Sequence, residues 1–115
     1  MRDNYEKNRE ITERYTKQSL DKYLQNERTR SVINLEMSEY NYIINIAISI
    51  LETKFPEIGP GYGGGGFVQA VVDNDLMSTF ANADDINAQF IKFYCTLMYN
   101  FSPYSLGGYE IKETV

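Results

Sequence analysis

Ser38-Glu39-Tyr40-Asn41-Tyr42-Ile43-Ile44-Asn45-Ile46-Ala47-Ile48-Ser49-Ile50-Leu51-Glu52-Thr53-Lys54-Phe55 is the stretch whose reading decides the fold class. Ile44, Ile46, Ile48 and Ile50 alternate with polar or small residues, which is the period of a half-buried strand. The segment nevertheless runs eighteen residues without a turn signal, longer than most strands. Length favours a helix over 38–55, and a strand over 42–51 stays open as the alternative. Ser38 is the expected N-cap, with Glu39 in the first turn. Pro56 ends the element, and Gly59-Pro60-Gly61 marks the break.

Gly59-Pro60-Gly61-Tyr62-Gly63-Gly64-Gly65-Gly66 follows and holds six of the eight glycines. Without Cβ atoms such a run lets the backbone approach a ligand closely. It stops where a helix starts, and a helix N-terminus brings unpaired N–H groups and a partial positive charge that suit a phosphate. A flexible linker explains the same composition. No convincing strand precedes the run and no Lys-Ser/Thr follows it, so neither the Rossmann nor the Walker A pattern applies. The abrupt switch from glycine to helix favours a ligand loop.

Beyond the glycines, Phe67, Val68, Val71, Val72, Leu76 and Phe80 recur at helical spacing and predict a third helix over 67–82. Ile86, Phe90, Phe93, Tyr94, Leu97 and Phe101 predict a fourth over 85–100, capped by Asp84 with Asp85 in its first turn. Ser102-Pro103 ends it, and 102–115 reads as an irregular tail. In the other direction, residues 3–30 are rich in Glu, Lys, Arg and Gln without Gly or Pro, and read as helix. Their apolar positions Tyr5, Ile11, Tyr15, Leu20, Tyr23 and Leu24 form a stripe too thin for a buried core helix. It suits a helix across the domain edge or a partner chain, with partial disorder as the alternative.

The expected fold is therefore all-α: a small four-helix domain with the Gly-rich loop between helices 2 and 3. The 115 residues make one domain, with a charged N-terminal helix or arm at 1–30, a helical core at 31–108 and a tail at 109–115. A domain this small exposes much of its surface, which favours self-association.

Charge and composition narrow the function. The net charge of −5 divides into +2 over residues 1–30 and −7 over 31–115, and all five arginines lie in the first thirty residues. Duplex nucleic acid needs a basic footprint, so it is a poor partner. The chain has no histidine, the commonest general acid/base and metal ligand, and one cysteine. Neither a zinc site nor any other cofactor is expected, and no catalytic residue stands out. Cys95 sits in an apolar segment and reads as a reduced core residue, which fits a cytoplasmic protein. The apolar run 42–51 is too short for a membrane span.

Asp73 and Asp75 point in different directions on a helix and form no metal cluster. Asn74, Asn87 and Asn100 offer a donor and an acceptor each, suited to a base edge or to tying down a loop. Of the ten tyrosines, Tyr62 and Tyr104 lie on loops and are the better ligand candidates, while Tyr94 and Tyr99 read as core or semi-core.

Gly64-Gly65-Gly66-Phe67-Val68-Gln69-Ala70-Val71-Val72-Asp73-Asn74-Asp75-Leu76, then Ala83-Asp84-Asp85-Ile86-Asn87, then Tyr99-Asn100 and Pro103 together resemble a widespread group of small phage-encoded proteins. Three separated blocks agree in order, over about residues 59–108. The pattern also resembles viral sponge proteins that sequester nucleotide immune signals: cyclic dinucleotides of CBASS defence or cyclic ADP-ribose derivatives of Thoeris defence. The resemblance implies a helical fold, homo-oligomers (a dimer or tetramer) and ligand sites between subunits, in the cytoplasm of an infected bacterial host. The first thirty residues lie outside it.

A sponge needs binding and no chemistry, so no enzymatic activity is expected. The ligand-binding set is Tyr62, Gly64, Gly65, Gly66, Phe67, Asn74, Asn100, Tyr104, Arg28 and Arg30. Backbone N–H groups of Gly65, Gly66 and Phe67 meet a phosphate; Tyr62 or Phe67 stacks on a base; Asn74 or Asn100 reads a base edge; Arg28 or Arg30 neutralises charge. Three other readings stay open, one of them a small structural assembly factor. The acidic chain could inhibit a host nucleic-acid-binding defence protein by mimicry. It could also degrade the nucleotide through Asp73, Asp75, Asp84 and Asp85 with Mg²⁺.

Overall fold

The computed structural model describes residues 2–26, 35–59, 65–103 and 108, and all their regular structure is helical. The elements are α1 (Arg2–Gln25), α2 (Met37–Lys54), α3 (Gly66–Val72), α4 (Leu76–Asn82), α5 (Asp85–Gln89) and α6 (Ile91–Asn100). The all-α expectation holds, but the four expected helices are six among the described residues.

The deciding stretch is helix throughout. α2 is the central element, packed against α1, α3, α5 and α6. Ile43, Ile44, Ala47, Ile48, Ile50 and Leu51 are all buried. A helix covered on several sides buries residues beyond one stripe, which is why its isoleucines mimic strand alternation. Its solvent side is a helical row: Ser38, Asn41, Tyr42 and Asn45 are exposed. The cap is Glu36 rather than Ser38, which lies inside the helix; the Glu36 N–H donates to Glu39 Oε1 at 3.0 Å. At the far end Gly59 closes over the side chain of Glu52, and a Cβ there would sit 2.6 Å from Glu52 Oε2.

The expected helix over 67–82 is broken at Asp73-Asn74-Asp75. Asn74 takes φ +60°; its N–H donates to Val71 O at 3.2 Å, and the Asp75 N–H reaches Ala70 O at 2.9 Å. That pair of bonds is a Schellman motif, with asparagine where glycine is usual. Asp75 then caps α4, accepting from the Ser78 N–H at 3.1 Å. Leu76, Met77 and Phe80 are left exposed on α4.

The helix expected over 85–100 bends at Phe90, which separates α5 from α6. Asp84 caps α5 as expected, accepting from the Asn87 N–H at 2.7 Å. Phe90, Phe93, Tyr94, Leu97 and Phe101 all enter the core, with Ile86 half-buried against it. Two expectations fail here. Tyr99 is 89% exposed and Cys95 is exposed, because both fall on the solvent side of α6.

α1 lies against α2 and α6 with a buried face of its own. That face is built from Leu20 together with Asn8, Thr12 and Thr16, all buried, and half-buried Tyr15, Tyr23 and Leu24. The apolar stripe looked thin because polar residues occupy half the packing positions. Thr16 Oγ1 meets its need locally by donating to Thr12 O at 2.7 Å. Arg9 adds an ion pair to buried Glu52 at 3.5 Å.

Candidate functional site

Two depressions carry functional side chains. The larger, about 560 Å³, runs between α1 and α6. Tyr15, Ser19, Lys22 and Tyr23 of α1, with Asn26 just past its end, share one flank of the helix. On α6, Lys92, Phe93, Thr96, Leu97 and Asn100 do the same. The two rings from α1 are held by the core: the Tyr15 ring meets Phe101 edge-on at 5.3 Å, and Tyr23 sits 5.4 Å from Phe93. The groove thus sets two lysines, two aliphatic hydroxyls and two amides around fixed aromatic walls, and among the described residues no carboxylate lines it. Its volume lies within the range of small-molecule sites.

The smaller cleft, about 300 Å³, opens where the glycine run meets α3. Gly65, Gly66, Phe67 and Val68 form one side; Tyr42, Ile46 and Ser49 of α2 another; Asn82, Asp84 and Asn87 close it. A hydrogen-bond network underlies it. Tyr42 Oη donates to Asp84 Oδ2 at 2.5 Å, Asn87 Nδ2 donates to Tyr42 Oη at 3.1 Å, and Tyr94 Oη donates to Asn87 Oδ1 at 2.7 Å. The bond to Asp84, with partial burial, holds the Tyr42 phenol above its usual range; burial above all does the same for Tyr94. Asn87 is therefore a structural tie between α2, α5 and α6.

Among the described residues, the expected ligand residues do not all line one depression. Gly65, Gly66 and Phe67 border the cleft, and Asn100 lines the groove. Asn74 is exposed at the α3–α4 turn and lines neither. Phe67 is only 8% exposed and packs against the Tyr94 ring in a T-shaped contact at 5.7 Å, so little of its ring is open for stacking on a base. Tyr62, Gly64, Tyr104, Arg28 and Arg30 lie outside the described residues. Asp73, Asp75, Asp84 and Asp85 do not gather: Asp73 accepts from Gln69 Nε2, while Asp75 and Asp84 are caps. Among the described residues no group of three His, Cys, Asp or Glu side chains is placed to hold a metal ion.

Sequence reasoning missed Lys22, Lys92, Ser19 and Thr96. The available signal was Lys92, one of three lysines in an otherwise acidic 31–115 and set on the best amphipathic helix. Among the described residues no helix is long and apolar enough to cross a membrane. Searches against protein-family models, curated proteins and solved structures found no match.

Proposed function

We propose that this protein binds a small phosphorylated nucleotide in the α1–α6 groove and sequesters it unchanged. The observation that carries the reading is the groove's composition: Lys22 and Lys92 with amides and tyrosine rings, and no carboxylate among the described residues, on a chain of net charge −5. Overall, such a chain repels anions, so a patch with two cations favours a phosphate over the acidic surface around it. Tyr15 and Tyr23 supply flat apolar surface for a base, and Asn26 and Asn100 supply paired donors and acceptors. The absence of histidine supports binding over catalysis.

The resemblance of the 59–108 pattern to phage proteins and viral sponges supports a cyclic dinucleotide or a cyclic ADP-ribose derivative as the ligand, and immune evasion as its purpose. It also supports a homo-oligomer, and the exposed Leu76, Met77 and Phe80 on α4 provide an apolar ridge for self-association. The test is calorimetric titration with these nucleotides, repeated on Lys22→Glu and Lys92→Glu. Each charge reversal is expected to weaken binding at least tenfold at moderate salt. Equal affinity in wild type and both variants would remove the groove from the reading.

A further inference from the structure

The cleft at the end of the glycine run has the opposite chemistry from the groove. We infer that it takes the charged head of a small organic cation, an ammonium or guanidinium group, rather than a phosphate.

Among the described residues no lysine or arginine lines the cleft, and Asp84 brings a carboxylate to it. Three of its side-chain donors are already engaged. Tyr42 gives its proton to Asp84, Asn87 gives one of its two amide hydrogens to Tyr42, and Asn82 Nδ2 gives one of its two to Ser78 O at 2.8 Å. Asn87 Oδ1 is also used, by Tyr94. Besides the Ser49 hydroxyl and the second amide hydrogens of Asn82 and Asn87, which are neutral, a ligand meets the charged acceptor of the cleft, the Asp84 carboxylate, together with Asn82 Oδ1, which lies 3.0 Å from where a Cβ on Gly66 would stand. Ile46, Phe67 and Val68 add apolar wall for an alkyl stem.

The N–H groups opening α3 argue the other way, and magnitude decides. A long helix presents roughly half a positive charge at its N-terminus. α3 has only seven residues, so its end is weaker still beside the unit charge of Asp84. The cleft's field is therefore negative. At about 300 Å³ it admits a head group and a few carbons, far less than a dinucleotide. It stands apart from the groove, and the inference survives if the groove binds nothing.

The test is a ¹⁵N NMR titration of the full chain at fixed ionic strength with agmatine, with N-butylurea as an uncharged counterpart, and with inorganic phosphate. Agmatine is expected to shift the Gly66, Asn82 and Asn87 amides saturably, with N-butylurea at least tenfold weaker and phosphate without effect there. Asp84→Asn keeps a residue that caps helices well and is expected to weaken agmatine at least tenfold. Asn82→Asp, which leaves the Asp84 cap untouched, is expected to tighten it severalfold. Phosphate shifting these amides in place of agmatine would overturn the inference, as would agmatine and N-butylurea binding alike. Equal agmatine affinity in wild type and the Asn82→Asp protein would do the same.

Discussion

Asn74 holds a positive φ of +60°, the only one outside glycine among the described residues, and ends α3 there. Asparagine tolerates this conformation because its short amide bonds locally, whereas a β-branched side chain meets the backbone. Asn74→Gly is expected to leave stability unchanged or slightly raised, and Asn74→Val to lower it by about 1–2 kcal/mol in urea unfolding. Glu52 is the other residue with a sharp consequence. Its side chain is 2% exposed, and burial raises its pKa above the ordinary 4.5 while Arg9 pulls it partly back. The folded chain thus holds this proton more tightly than the unfolded one. Glu52 accordingly adds stability as pH falls from its folded pKa towards 4.5, and the gain is lost on raising the pH again. Comparing urea midpoints at pH 7 and pH 5, wild type is expected to gain relative to Glu52→Gln; parallel behaviour of the two would contradict the assignment.

Helices are the scale at which the sequence both spoke and misled. The stripe from Phe90 to Phe101 was legible because α6 is covered on one side only, so burial and periodicity coincide. α2 was ambiguous because it is covered on several sides; its polar positions, Ser38, Asn41 and Asn45, keep the helical step that the isoleucines hide. The break at 73–75 was hidden in a continuous apolar rhythm, because a Schellman turn changes direction without needing Gly or Pro. α1 was undervalued because Asn8, Thr12 and Thr16 occupy packing positions that a hydrophobic count ignores. At the site, Gly65 and Gly66 stood out by composition, whereas the groove depends on two helices meeting across the fold, a juxtaposition no local pattern encodes. The packing of Phe67 yields a further prediction. Phe67→Ala is expected to cost about 3–5 kcal/mol, and Phe67→Leu less than about 1.5. The leucine variant is expected to retain nucleotide affinity, since Phe67 does not line the groove; a large loss of affinity in a stable Phe67→Leu protein would return it to the ligand site.

As a whole molecule the protein sets a cationic groove and an acidic cleft on one helical body centred on α2. The exposed ridge of Leu76, Met77 and Phe80 lies on α4, and no residue of α4 lines the groove. Self-association through that ridge is expected to leave nucleotide binding intact when it is broken. In sedimentation velocity, wild type is expected to sediment as an oligomer and Phe80→Glu as a monomer, and an unchanged sedimentation coefficient would place any self-contact elsewhere. Binding in the groove is expected to weaken with salt, because its charges are exposed lysines. The most direct test of the central claim is calorimetric titration of wild type with cyclic dinucleotides and cyclic ADP-ribose isomers, followed by denaturation and chromatography of what was bound. Saturable binding of at least one of them, released chemically intact, is the predicted result. No heat across the whole panel, or release of a cleaved nucleotide, would contradict it.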